Sequence, residues 1–119
     1  GTAVRYWLIQ LKIDIKNLLV LTDDLNLSFG SLRMKRNGSD GGHNGLKDIH
    51  HVLSTNLYSR LRIGVGNSFS KGKQIDYVLG EWTSEEEVII DDKLIKIKDM
   101  TLSFCFSGIE NTMNTFNNT

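Results

Sequence analysis

A chain of 119 residues suffices for one domain with a modest core. Its 39% hydrophobic and 24% charged content is ordinary for a globular protein, and 14 Lys+Arg against 14 Asp+Glu leave no net charge to favour nucleic acid, so any basic surface must come from local clustering. No apolar run reaches the roughly 18 residues of a membrane span, no signal-peptide pattern is visible, and a lone Cys105 excludes an intrachain disulfide; a reducing, cytoplasmic setting is the expectation.

Residues 1–12 place Val4, Trp7, Leu8 and Leu11 at helical spacing, with Thr2 as a cap candidate. Residues 13–17 break that pattern. Leu18-Leu19-Val20-Leu21 then reads as a strand buried on both faces, ending abruptly in Thr22-Asp23-Asp24. After a turn at 26–30, residues 31–36 alternate, with Leu32 and Met34 on one face and Arg33 and Lys35 on the other. Asn37 to Gly42 forms a loop into an amphipathic helix over roughly 44–53, with Leu46, Ile49, Val52 and Leu53 facing inward.

Residues 60–66 alternate again, setting Leu61, Ile63 and Val65 against Arg60, Arg62, Gly64 and Gly66. Residues 67–73 are polar without core periodicity, and Tyr77-Val78-Leu79-Gly80 is a short extended piece. Thr83-Ser84-Glu85-Glu86-Glu87 signals a helix start, followed by a stripe of Ile90, Leu94, Ile97, Thr101, Phe104 and Ile109. Cys105 is expected as a small buried hydrophobe, Met113 and Phe116 as anchors, and the terminus beyond them as frayed. Mixed strands and helices predict an α/β domain, a mixed twisted sheet flanked by helices.

The chemistry concentrates in Asp40-Gly41-Gly42-His43-Asn44-Gly45-Leu46-Lys47-Asp48, a glycine turn feeding a helix. Asn44 can cap that helix, or its amide can donate to an oxyanion and accept from a peptide N–H. His43 reads as a structural hydrogen-bonding group ahead of a base, and His50 and His51 as solvated. Asp23 is either a turn aspartate or an acid that orients a histidine; its neighbour Asp24 points to the other side of the chain. Arg33, Lys35, Arg60 and Arg62 are either a solvated face or a cationic ledge for RNA phosphates. Neither the three histidines nor Cys105 has zinc-ligand spacing, and no P-loop or dinucleotide motif is present, so no metal or cofactor is expected.

In order and spacing, Asp23-Asp24-Leu25, the Gly-Gly-His-Asn-Gly-Leu-Lys run, Arg60-Leu61-Arg62-Ile63-Gly64-Val65-Gly66 and Tyr77-Val78-Leu79-Gly80 resemble bacterial-type peptidyl-tRNA hydrolase. The resemblance runs through nearly the whole chain and is strongest from Leu18 to Gly66. It implies one domain over 1–119, with a lid over 67–82 and a helical region over 84–116. It also implies hydrolysis of the ester joining a peptide to the 3′ ribose of tRNA, by a histidine general base, with no cofactor.

By the same resemblance Asp23 orients that histidine, while Asn44, His43 and Gly42 contact substrate. Arg33, Lys35 and Arg62 grip tRNA phosphates, and the partner is peptidyl-tRNA, through its acceptor stem and nascent peptide, with neither membrane nor DNA. The protein is expected to be monomeric. Thr22 stands where relatives often have His, and Ser28 and Asn67 stand near positions where relatives often have Pro. None of His43, His50 and His51 matches the catalytic base. Gly1 matches a position after the family's first strand, its Arg-His-Asn histidine and its Met-Asn segment, so the expectation is the carboxyl-terminal two-thirds of the domain, inactive alone. The alternative is a non-catalytic RNA-binding protein on the same scaffold, of the splicing-factor kind.

Overall fold

The computed structural model describes residues 1–67 and 80–117. Helix α1 spans Thr2–Gln10, and a 3-10 turn spans Ile15–Asn17. Strand β1 (Leu19–Asp24), strand β2 (Leu32–Lys35), helix α2 (Asn44–Leu53), strand β3 (Ser59–Gly64) and helix α3 (Ser84–Phe116) follow. The sheet order is β1-β3-β2, with β1 parallel and β2 antiparallel to the central β3. This is the mixed α/β architecture expected from the sequence. Residues 68–79, which make up most of the lid expected over 67–82 and of the extended piece expected at Tyr77 to Gly80, lie outside the described residues.

Alternation sorts the strand side chains between two cores. Leu32, Met34 and Leu61 pack against Met100 and Phe104 of α3 on one face, with Leu19 and Ile63 at the margin. On the other, Leu46 and Ile49 of α2 pack with Tyr58, joined by Val4, Leu18, Val20 and Leu53. Leu19 and Val20 thus serve opposite cores, as period-two geometry requires. Leu21, however, is 48% exposed, correcting the expectation of a strand buried on both faces. β1 is an edge of the sheet, and α3 lies over β2 rather than over β1.

The helix boundaries follow local chemistry. α2 begins where Gly41 (φ 58) and Gly42 (φ 84) turn the chain through a left-handed conformation that other residues rarely adopt. α3 begins with the capping box: Thr83 Oγ1 accepts from Glu86 N–H, and the Glu86 carboxylate accepts from Thr83 N–H. α1 has no such cap; Gly1 occupies that position and Thr2 lies inside the helix.

α3 is broken at Gly108 (φ 82, ψ 177), beyond which Ile109, Met113 and Phe116 return to the core. Leu94, assigned inward from the sequence, is 52% exposed, because the first turns of α3 rest on the loop at Gly30 rather than on the sheet. Cys105 is exposed as well, one residue from buried Phe104, since helical rotation carries neighbours to different faces. Asn117, placed in the frayed terminus by the sequence, instead docks on β2. Its Oδ1 accepts from Met34 N–H (2.8 Å) and its Nδ2 donates to Met34 O (2.9 Å).

Candidate active site

Three segments converge on a cleft of about 910 Å³: the carboxyl end of β1, the 37–43 loop with the start of α2, and the cationic positions of β2 and β3. The carboxyl end of a sheet strand is where backbone direction leaves side chains free of the core. Asp23 and Asp24 emerge there and take different partners, as two adjacent carboxylates should. Asp24 Oδ2 accepts from Arg62 Nε at 2.5 Å, and its Oδ1 accepts from Asn26 N–H, fixing the turn after β1.

Asp23 Oδ1 lies 2.7 Å from His43 Nε2. The other ring nitrogen, Nδ1, accepts from Leu46 N–H at 3.2 Å and caps α2. A backbone N–H can only donate, so Nδ1 carries the lone pair and the proton of the neutral ring sits on Nε2, toward Asp23. Both nitrogens are occupied, and the ring has no lone pair left for a water. His43 is therefore structural in this geometry, as the sequence suggested. The histidine that Asp23 holds here is His43.

Asn44 changes its reading. Because His43 caps the helix, Asn44 is the first helical residue, not the cap. Its side chain is exposed at the cleft with no partner among the described residues. It stands at a helix start, where backbone N–H groups and the helix dipole favour negative charge. Gly42 also lines the cleft, but its N–H already donates to Asp40 Oδ1 at 2.8 Å. His43 N–H donates to Asp40 O, so one aspartate defines the whole turn.

The basic ledge divides into three roles. Arg33 pairs in register with Arg62, and Lys35 with Arg60, so all four belong to one sheet face. Arg33 and Lys35 are exposed, and Lys35 lines the cleft while Arg33 stands outside it. Arg62 lines the cleft with its charge offset by Asp24, their side chains being 20% and 14% exposed. Arg60 borders the cleft only from beneath. It is 2% exposed under α2, which corrects its place in the ledge.

His50 is likewise not solvated. Its Nε2 faces Arg60 Nη1 at 3.3 Å and its ring meets Tyr58 edge-on, and burial, then the arginine charge, lower its pKa from the ordinary value of 6.5. His51 is exposed. Asn26, Asn37 and Asn67 line the cleft too, and sequence reading gave them no role. Asparagine is so common in turns that position alone could not separate them from loop residues. Among the described residues, no three His, Cys, Asp or Glu side chains are grouped to hold a metal, and no helix is long and apolar enough to cross a membrane.

The family model described as peptidyl-tRNA hydrolase matches residues 1–119. The peptidyl-tRNA hydrolase of Azobacteroides pseudotrichonymphae is 54% identical over 117 residues, 98% of this chain and 63% of that relative. That of Parabacteroides distasonis is 52% identical over 118 residues, 99% of this chain and 63% of the relative. The crystal structure of peptidyl-tRNA hydrolase from Acinetobacter baumannii superposes with a TM-score of 0.85 at 31% identity, covering 96% of this chain and 58% of that one. The chain thus spans about 63% of the length of these two sequence relatives.

Proposed function

The chain belongs to the peptidyl-tRNA hydrolase family, and on that premise we propose that it supplies the substrate-contacting part of an esterase that frees tRNA from its peptide. The bond cleaved is the ester between the peptide carbonyl and the 3′ ribose. Water adds to that carbonyl, a tetrahedral oxyanion forms, and the ribose oxygen leaves with a proton. Asn44 is the group proposed to meet the substrate beside that carbonyl. The observation that carries this is the release of its amide from capping duty, which leaves a donor and an acceptor exposed in the cleft.

Asp23 is the supporting acid. His43 and Gly42, whose polar groups are engaged internally, shape the surface that the substrate touches. Lys35 at the cleft, Arg33 beside it and Arg62 held by Asp24 are the proposed tRNA phosphate contacts, with the acceptor stem lying along β2. The general base is proposed to be none of the three histidines. His43 has both nitrogens engaged, His50 turns Nε2 to a guanidinium, and His51 is exposed without lining the cleft. General-base catalysis contributes roughly 10²–10⁴-fold, so the 119-residue chain alone should hydrolyse N-blocked aminoacyl-tRNA slowly.

The experiment is single-turnover hydrolysis of N-acetylated aminoacyl-tRNA, with binding measured in parallel. Binding weakened by Asn44→Ala and by Lys35→Ala, with turnover far below that of a full-length relative, supports the proposal. Fast turnover that survives Asp23→Ala and Asn44→Ala overturns it. Translation and the cytoplasm are the setting this activity implies, and a monomer is the form proposed. Relatives and solved neighbours alike are hydrolases by name, which favours the esterase over a non-catalytic RNA-binding role.

A further inference from the structure

Among the described residues Arg60 is the most buried charged one, at 2% exposure, near the start of the central strand. Its position follows from the register: Val20 and Lys35 flank it on β1 and β2, and α2 covers that face of the sheet. The guanidinium stacks on the Tyr58 ring, 4.3 Å from its centroid. Its Nη2 donates to Asn56 O (2.8 Å) and Tyr58 O (3.3 Å), and its Nη1 reaches Ser39 O (3.4 Å) and His50 Nε2 (3.3 Å). None of these partners is a carboxylate, and its Nε and the Tyr58 hydroxyl are both buried without a partner.

Burying a cation against neutral carbonyls is costly, and an apolar side chain would fill the same space without that cost. What an apolar side chain lacks is the planar fork that reaches several acceptors at once. Here the fork joins the glycine loop at Ser39, helix α2 at His50, and the approach to β3 at Asn56 and Tyr58. Ser39 directly precedes Asp40, whose side chain and carbonyl organise Gly42 and His43. The far end of the same turn is fixed by the His43–Asp23 bond. The cleft-forming segment from Asp40 to Asn44 therefore hangs between two pins.

We infer that Arg60 is the positioning residue of the glycine loop: it holds the loop through Ser39 so that Asn44 meets substrate, and does not itself contact RNA. This rests on the proposed esterase reading for its consequence, but its structural half is separable from that reading. Hydrogen exchange of the Gly42, His43 and Leu46 amides reports the loop without any substrate. Binding of N-acetylated aminoacyl-tRNA reports the function.

Arg60→Lys keeps the charge and loses the fork. We expect loop-amide exchange to rise about tenfold or more, with exchange in β3 unchanged, and binding to weaken about tenfold with no change in its salt dependence, as misplacement of a contact residue predicts. A phosphate-contacting arginine would behave oppositely, with Lys restoring binding and the salt slope falling on Arg60→Met. Unchanged loop exchange in Arg60→Lys overturns the inference whatever the binding does. Faster loop exchange in a protein that never binds tRNA supports the inference and sinks the esterase reading instead. Should Arg60→Met unfold, His50→Leu removes one of the fork's acceptors in a milder background. It is expected to raise loop exchange, and an unperturbed loop there counts against the inference.

Discussion

Asp23 and His43, twenty positions apart, share a 2.7 Å contact that ties the end of β1 to the start of α2. The ring's second nitrogen caps the helix, so one imidazole serves two elements. His43→Asn retains a cap acceptor and loses the contact with Asp23, whereas His43→Ala loses both. Denaturant unfolding should show a cost of about 1 kcal/mol for Ala relative to Asn, the usual worth of an N-cap. Nitrogen chemical shifts of the wild-type ring at neutral pH should report the tautomer protonated on Nε2.

Gly45 sits under that ring. A Cβ there would lie 2.9 Å from His43 Cε1 and 3.2 Å from Nδ1. Gly→Ala inside an exposed helix ordinarily stabilises by up to about 1 kcal/mol. Gly45→Ala should show none of that gain, because the ring must swing out and surrender the cap and the Asp23 contact. A melting temperature raised by several degrees, with the ring nitrogen signals unmoved, would contradict this.

Gly64 admits no substitution for a harder reason. A Cβ at this position would meet the Ser28 carbonyl oxygen at 2.1 Å and Leu27 Cβ at 2.9 Å, where the 27–31 loop lies against the end of β3. The loop is bonded to Gly64 in both directions, with Gly30 N–H donating to Gly64 O and Gly64 N–H donating to Ser31 O. Gly64→Ala must move backbone rather than a side-chain tip. A loss of about 1–3 kcal/mol in chemical denaturation is expected, the range for overpacking.

His50 gives stability a dependence on pH. Its folded pKa lies below 6.5 because of burial first and the Arg60 charge second, with Asp40 acting in the opposite direction. Between the lowered folded value and 6.5 the unfolded chain binds more protons, so stability rises with pH. The contribution is present above pH 6.5 and is lost as pH falls through the folded value. Melting temperature should therefore drop on going from pH 7.5 toward 5, and His50→Gln should flatten that part of the slope.

Asn117 imitates a neighbouring strand. Its amide gives Met34 both an acceptor and a donor, on the edge of β2 that β3 does not use. Asn117→Ala strands two backbone groups in a partly covered site, and a loss of about 1–3 kcal/mol is expected. Asn117→Asp keeps the acceptor alone and should fall between the two in thermal melts.

Local periodicity made much of this legible in the sequence. The α2 boundaries, the opposed faces of β2 and the cap of α3 follow from neighbouring residues alone, and they agree with the structure. Of the residues singled out in the sequence, Asp23, Asn44, Lys35 and Arg62 share a cleft and Arg33 stands outside it. What local patterns could not show was the division of labour. Alternation puts Arg60 and Arg62 on one face, but only the packing of α2 shows that one is buried and the other meets Asp24. An Asn after a His reads as a cap until the ring is seen to take that duty itself. Leu21 and Leu94 misled because apolar character signals a buried face without saying where the covering element ends.

The break at Gly108 has a geometric result. Thirty-three residues of uninterrupted helix would measure about 50 Å, longer than the 41 Å long axis of the molecule. The kink at one glycine bends the helix, and its two arms are joined across the bend by the 2.7 Å contact between Ser103 Oγ and Thr112 Oγ1. The short arm ends at Asn117 on β2, the strand that carries Arg33 and Lys35. The strand that brings Lys35 to the cleft is thus braced from the opposite end of the chain, through a backbone turn at position 108 (φ 82) that residues other than glycine rarely adopt.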